Sequence, residues 1–509
     1  MLREVMTQNG MVRGLPAADP RITSFKGIPF AAPPVGENRW RAPQPCSDWV
    51  GVRKAYEFAP ISVQDTPGLG TDIYCREWHV DPDIPMSEDC LYLNVWTGAK
   101  GADEKLPVLV WFFGGALQWG YPSEMEFDGE RIARRGIVVV TVNYRLNAFG
   151  FLAHPELTAK QPEAPTNFGF LDQQAGIKWV IRNIAAFGGD PKNITIAGQS
   201  AGGGSVLGQI TNPANKGLFQ KAVIMSAMIQ SPYEETSIIT PMTLEQAEEN
   251  GQNFLEFLGV TSIEEARGLD AFYIRDKYAE YAVAHPRMMS VIDGRFNTDE
   301  PIKLLARNEQ LDIPLMSGST GNEFPAFIGA ASVEEFEEKA GEIFGEKAES
   351  FLQFKEAYEQ DAEGCFARVN GIECTIKAAF EESRNNGNKQ KCYYYRFVPD
   401  IPGWDHPGTF HSVDLWFFFE TLAKCWRPFV GRHYDLSRQM CNYFCNFIKS
   451  GDPNGPDADG SQLPIWEPYE EETPMGMSFT EQGTVAIQEK DSDYIRFHVE
   501  HIKNRLKKK

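Results

Sequence analysis

Ser200 lies at the centre of Gly198-Gln199-Ser200-Ala201-Gly202, after the run Thr195-Ile196-Ala197 and before the small residues Gly203 and Gly204. A β-branched run, then G-x-S-x-G, then small residues describes a strand that turns sharply into a helix with the serine on the turn. Glycine two residues to either side removes Cβ atoms that would collide, and the hydroxyl is left pointing out of the sheet. A serine hydroxyl is a weak nucleophile near neutral pH. It needs a base to take its proton, a carboxylate to orient that base, and N–H donors for the oxyanion that forms. In this arrangement the partners are expected in the chain order serine, acid, histidine. The five-residue pattern alone also fits a helix-opening turn with no chemistry, so the rest of the chain has to decide.

The oxyanion donors are expected in a Gly-rich turn after an early buried strand. Phe113-Gly114-Gly115-Ala116 follows the apolar run Val108 to Phe112, and the amides of Gly115, Ala116 and Ala201 are the candidates. A plain strand-to-loop glycine pair is the bland alternative. Of the eight histidines, only His406 and His411 fall in a loop after a late buried strand. His411 precedes the aromatic run Leu415 to Phe419 and is favoured. His406, between Asp405 and Pro407, reads as a turn residue. Glu323, in the small-residue loop Ser317 to Phe324, is the expected acid, with Asp293 and Asp299 as competitors that read as turn carboxylates.

These groups need a rigid frame. Pro107 to Phe113 and Ile137 to Val142 are apolar without interruption, as central parallel strands buried on both faces are. Asn193 to Ala197, Ala222 to Met225, Pro314 to Ser317 and Tyr393 to Phe397 continue the strand set. Ile177, Val180, Ile181 and Ile184 recur at helical spacing between Gln173 and Phe187, and Gly188-Gly189-Asp190-Pro191 stops that helix. The first hundred or so residues read as short strands and Pro-rich loops. Polar, helical stretches at about 231–305 and 332–390 read as insertions over the sheet, because strands resume between and after them. Thr243 with Gln246, Ser262 with Glu265 and Ser332 with Glu335 have the spacing of helix N-terminal caps. The expected architecture is α/β: a single domain over 1–509, with a large, mostly parallel sheet flanked by helices.

Composition narrows the class of function. The chain is 42% apolar and 23% charged, as ordinary globular proteins are. Seventy acidic against 49 basic residues give a net charge of −21, which argues against nucleic acid or an anionic membrane as partner. The basic cluster Lys507-Lys508-Lys509 reads as a frayed tail. No signal-peptide pattern opens the sequence, and no uncharged run has the length of a membrane span. Nine cysteines without C-x-x-C spacing suggest free thiols in a reducing, cytoplasmic setting. Cys441 and Cys445 read as a packing pair on one helix face, and Asp452 to Ser461 as a surface turn lacking the offsets of a calcium loop. No metal and no cofactor are expected, and nothing in the sequence sets an oligomeric state.

Several blocks together resemble the type-B carboxylesterase family of α/β-hydrolases, which includes the cholinesterases and the bacterial para-nitrobenzyl esterases. Phe25-Lys26-Gly27-Ile28-Pro29-Phe30-Ala31 with Pro33-Pro34-Val35-Gly36 is similar to its N-terminal signature, and Ser87 to Val95 to its second. Asn143-Tyr144-Arg145 with Gly150-Phe151-Leu152, Phe187 to Pro191 and Gly451 to Gly455 match further blocks, so the resemblance runs from about Gly10 to Phe479. It implies a triad of Ser200, Glu323 and His411, the last heading the stretch His411-Ser412-Val413-Asp414-Leu415. It implies oxyanion donors at Gly115, Ala116 and Ala201, buried ion pairs Arg39–Glu88 and Arg145–Asp172, and Ser226 behind the triad. The chain departs from the family at Phe113 for His or Tyr, Ala116 for a third Gly, Gln199 for Glu and Ala227 for Gly. Ser62 stands about where secreted members carry the cysteine that pairs with the counterpart of Cys90.

The implied activity is hydrolysis of a small-molecule carboxylic ester through an acyl-enzyme. Phe112, Phe113, Trp119, Phe324, Phe327 and Trp416 are candidates to line an aromatic pocket for uncharged, bulky acyl or aryl esters, although core packing explains each of them equally well. Trp78 is a candidate face for a cationic substrate. Amidase or lactonase action on the same residues, or a non-catalytic binding module, are the alternatives.

Overall fold

The runs that lack a polar face lie where both faces are covered, at the centre of an eleven-stranded sheet. The computed structural model describes residues 1–234, 240–360, 364–458, 460–488 and 491–507, so Lys508 and Lys509 of the basic tail, and short parts of both polar helical stretches, lie outside the described residues. The strands are β1 (Leu15–Pro16), β2 (Thr23–Pro29), β3 (Tyr92–Thr97), β4 (Leu106–Phe112), β5 (Val138–Val142), β6 (Gly189–Gln199), β7 (Lys221–Met225), β8 (Leu315–Thr320), β9 (Cys392–Phe397), β10 (Met475–Thr480) and β11 (Gly483–Gln488). Across the sheet they run β1-β2-β3-β5-β4-β6-β7-β8-β9-β10-β11. Neighbours from β5 to β10 are parallel. Antiparallel pairs close both edges. Strand alternation sends Val108, Val110 and Phe112 of β4 into one core layer and Leu109 and Trp111 into the other.

Parallel neighbours need crossovers. Helix α1 (Phe168–Asn183) links β5 to β6, and α2 (Ala201–Thr211) links β6 to β7. Helix α1 begins earlier than the spacing from Gln173 indicated, because Phe168 and Phe170 are also buried. It tightens at Ile184–Phe187 and stops at Gly188, whose φ of +83° suits glycine. The expected caps form. Thr243 Oγ1 accepts Gln246 N–H at 3.3 Å while Gln246 Oε1 accepts Thr243 N–H at 3.0 Å. Ser262 and Ser332 accept Glu265 N–H and Glu335 N–H, each at 3.2 Å. The helices they open fall between β7 and β8 and between β8 and β9. Among the described residues no helix is long and apolar enough to cross a membrane.

Two buried ion pairs tie the loops at the C-terminal ends of the strands to their surroundings. Arg145, just after β5, meets Asp172 of α1 through Nε–Oδ2 at 2.8 Å and Nη2–Oδ1 at 2.7 Å, and its backbone N–H donates to Oδ2 at 3.0 Å. Arg39 forks onto Glu88 at 2.6 Å through both Nε and Nη2, and its Nη1 donates to the Ala266 and Leu269 carbonyls at 3.0 and 2.9 Å. Among the described residues no disulfide joins any of the nine cysteines. Cys90 is buried beside Ser62, whose hydroxyl donates to the Tyr144 carbonyl at 2.6 Å. Cys441 and Cys445 are both buried on one helix, Gly431–Ser450.

Desolvating the Arg145–Asp172 pair is costly, so the pair adds little net stability, but removing one partner strands the other charge. Asp172→Asn is expected to destabilise the fold by about 3–5 kcal/mol in urea titration. A change below about 1 kcal/mol contradicts a bracing role.

Candidate active site

Ser200 lies between β6 and α2 with φ +55° and ψ −127°, a conformation that costs a non-glycine residue. Contacts on every side impose it. The Ser200 N–H donates to the Met225 carbonyl at the end of β7 at 2.9 Å, which prolongs the sheet ladder through the turn. Helix α2 then doubles back against the end of β4. A Cβ on Gly202 would lie 2.1 Å from the Phe112 carbonyl oxygen, and one on Gly198 would lie 2.4 Å from the Gly202 carbonyl carbon. Only glycine fits at either position, and the serine is the residue left at the apex, half-exposed.

The loops after β8 and β9 are stitched together by Asn322, whose backbone N–H donates to the Thr409 carbonyl at 3.1 Å and whose Oδ1 accepts Thr409 N–H at 2.9 Å. That pairing brings Glu323 and His411 into contact. Glu323 Oε1 accepts Thr320 N–H at 2.8 Å, and Oε2 lies 2.5 Å from His411 Nδ1. Burial opposes the Glu323 charge. His411, the Thr320 amide and the Ser226 hydroxyl, which faces the carboxyl without completing a hydrogen bond, outweigh burial and hold the carboxyl below its ordinary value. A carboxylate at Nδ1 keeps the proton on that nitrogen and leaves Nε2 with a lone pair. That lone pair accepts the amide Nε2 of Gln199 at 3.2 Å, and no hydrogen bond joins it to Ser200 Oγ.

The competing residues lie elsewhere. His406 sits exposed on a turn at φ +44°. Asp293 Oδ1 accepts the N–H groups of Arg295, Phe296 and Asn297 at 3.0, 2.8 and 3.1 Å, which is turn chemistry. Asp299 pairs with Arg307 at 2.8 Å.

The turn after β4 has three successive residues at positive φ: Gly115 (+101°), Ala116 (+55°) and Leu117 (+59°). It is folded on itself by hydrogen bonds from Gln118 N–H and Trp119 N–H to the Gly115 carbonyl, both 2.9 Å. Among the described residues no acceptor takes the N–H of Gly115 or Ala116. Ala201 N–H opens a helix, where no intrahelical partner exists.

The six aromatic candidates separate. Phe112 is packed in the core. Phe113 is also interior, its ring stacked on Tyr144 at 4.3 Å. Trp416 is buried with its Nε1 directed to Glu77 at 3.3 Å. These three are corrected from pocket to core: strand alternation and the helix after His411 turn them inward. Trp119 is half-buried and donates to Asp65 at 2.9 Å. Phe324 is 60% exposed with its ring 4.7 Å from that of His411, and Phe327 is 43% exposed. Trp78 is buried among Tyr74, Phe410 and Trp416. The cavity beside Ala116, about 590 Å³, is lined by none of the six; Phe151, Met242, Met288, Met289 and Val291 give it an apolar wall.

Two residues escaped the sequence reading. The contact of Gln199 depends on the turn geometry, although its place beside Ser200 marked it. Asp414 lies within the His411-to-Leu415 stretch, fully buried, and accepts the Tyr395 hydroxyl at Oδ2 at 2.8 Å. Among the described residues one carboxylate trio, Glu381, Glu471 and Glu500, is close enough to share a cation, but Arg496 and Lys503 already occupy it.

A profile of the Carboxylesterase family matches residues 2–497. A para-nitrobenzyl esterase of Bacillus subtilis is 31% identical over 486 residues, covering 92% of this chain and 93% of its own. A cholinesterase of Mus musculus is 30% identical over 517 residues, covering 92% and 82%. A solved PNB esterase superposes with a TM-score of 0.79 at 29% identity, over 98% of this chain and 99% of its own.

Burial pushes the Asp414 carboxyl up to about 7, Glu323's charge adding to the effect while the Tyr395 hydroxyl and His411 oppose it. The native state therefore keeps a proton that the unfolded chain loses near pH 4, and stability falls as pH rises between the two values. Relative to Asp414→Asn, the wild type is expected to lose on the order of 3 kcal/mol between about pH 4 and pH 7. Urea midpoints of the two proteins measured across that range check this; parallel pH dependences contradict it.

Proposed function

The chain belongs to the carboxylesterase family, a carboxylic ester hydrolase with the α/β-hydrolase fold, and on that premise we propose that Ser200, His411 and Glu323 are its nucleophile, base and orienting acid. The observation that carries this reading is the Glu323–His411 contact of 2.5 Å at Nδ1, with Nε2 turned toward the residue beside Ser200. His411 Nε2 takes the hydroxyl proton as Ser200 Oγ bonds to the ester carbonyl carbon. The carbonyl oxygen becomes an oxyanion, held by the amides of Gly115, Ala116 and Ala201. The tetrahedral intermediate collapses, the C–O bond to the alcohol breaks, and the imidazolium returns its proton to the departing alkoxide. Water repeats both steps on the acyl-enzyme, releasing the acid and Ser200. Glu323 holds the tautomer and offsets the positive charge of the imidazolium.

Gln199 holds the Nε2 lone pair in the resting site and yields it to Ser200 Oγ when an ester enters. Because Gln199 is neutral, it can occupy this place without adding a second carboxylate to the buried pair. The apolar wall of the cavity at Ala116 supports a bulky aliphatic or aromatic group on the ester. Phe324, outside that cavity, is the aromatic candidate whose ring lies against His411. Free thiols support a cytoplasmic enzyme.

With 4-nitrophenyl butyrate, Ser200→Ala is expected to lose activity to background while remaining folded. Glu323→Gln is expected to lose about 10³- to 10⁴-fold in kcat, through the wrong tautomer. Near wild-type hydrolysis by Ser200→Ala contradicts the proposal, and an unchanged kcat for Glu323→Gln removes that residue from it.

A further inference from the structure

We infer that Arg287 makes this enzyme selective for esters that carry a carboxylate, an inference that rests on the esterase reading above and replaces the sequence-based expectation of an uncharged substrate. The cavity that begins at Ala116, one of the proposed oxyanion donors, runs to the segment His285 to Val291. Among the described residues it is lined by no Asp or Glu, although the chain carries 70 of them, and by one Arg or Lys, Arg287. In a protein with net charge −21, this wall is free of carboxylates, although Arg287 also lines the adjoining cleft that holds Asp65 and Arg275.

The guanidinium is held but not neutralised. It lies 4.9 Å above the centroid of Trp119, and that indole is fixed by its own hydrogen bond to Asp65 at 2.9 Å. Stacking against a ring leaves the N–H edge of a guanidinium free for a planar acceptor such as a carboxylate. Among the described residues no carboxylate lies within 4.0 Å of Arg287; Asp65, in the adjoining cleft, is engaged by Trp119. Apolar side chains, Met288 and Met289, continue the wall beside it. The site therefore suits an apolar spacer that ends in a carboxylate, with the ester carbonyl at Ala116. A cationic ester meets the wrong charge there, and buried Trp78 presents no open face to it.

Two substrate pairs locate the carboxylate. One compares 4-nitrophenyl hydrogen glutarate with 4-nitrophenyl pentanoate, placing the charge on the acyl side. The other compares 3-carboxyphenyl butyrate with 3-methylphenyl butyrate, placing it on the alcohol side. The readout is the ratio of kcat/KM, charged over neutral, which is insensitive to the fraction of folded enzyme. In at least one pair the ratio is expected to fall tenfold or more in Arg287→Gln and further in Arg287→Glu; that pair names the side. Ratios unchanged in both pairs overturn the inference while leaving the esterase reading intact. Binding of the same charged esters to Ser200→Ala and to Ser200→Ala/Arg287→Gln, measured by calorimetry, needs no turnover. Tenfold weaker binding to the double variant supports the inference even if the catalytic roles fail, and equal binding overturns it.

Discussion

The backbone crossing behind Ser200 is the constraint on which the site depends. Helix α2 passes so close to the end of β4 that Gly202 has no room for a Cβ against the Phe112 carbonyl oxygen. The same crossing holds Ser200 at φ +55° and sets the turn Gly114-Gly115-Ala116, which follows β4, directly beside it. A Cβ on Gly114 would meet the Gln199 carbonyl oxygen at 2.8 Å, so the two turns are in backbone contact. The conformational cost at Ser200, of order 1–3 kcal/mol, is offset by the ladder of buried parallel strands on either side. The proposed nucleophile and two of the proposed amide donors thus sit on turns directly at the ends of buried strands.

The second device is buried charge. Glu323 faces His411, Asp172 faces Arg145 and Glu88 faces Arg39, in each case through short, directed contacts. Such pairs give little net stability because desolvation opposes them. Their value here is positional, since each fixes a loop at the C-terminal edge of the sheet. Asp414 shows the opposite solution: lacking a cationic partner, it is pushed toward the neutral form by burial and the nearby Glu323.

Much of this was readable because it rests on local rules. Central strands announced themselves as unbroken β-branched runs, caps as Ser or Thr three residues before Glu or Gln, and the turn at Ser200 by its two glycines. Strand β10 was missed because Gly476 and Ser478 break up its apolar pattern, and β11, the edge strand, pairs only with β10. The aromatic residues were the hard case. Phe112 and Trp416 look like pocket residues by proximity to the motifs, yet an apolar ring gives the same signal whether it faces a cavity or the core. Only strand alternation and the path of the helix after His411 decide. The contact of Gln199 with His411 and the upward shift of the Asp414 carboxyl depend on loops far apart in sequence, β6 with β9 and β8 with β9, and no local pattern encodes them.

The central claim is that Ser200 acts as nucleophile within this geometry, and the most direct measurement is a crystal structure of the enzyme after reaction with a fluorophosphonate ester. The account predicts phosphorus bonded to Ser200 Oγ and the phosphoryl oxygen within hydrogen-bonding distance of Gly115, Ala116 and Ala201 N–H. It also predicts Gln199 Nε2 displaced from His411 Nε2. Phosphorus on another side chain, or on Ser200 with its oxygen pointing away from those three amides, would contradict it.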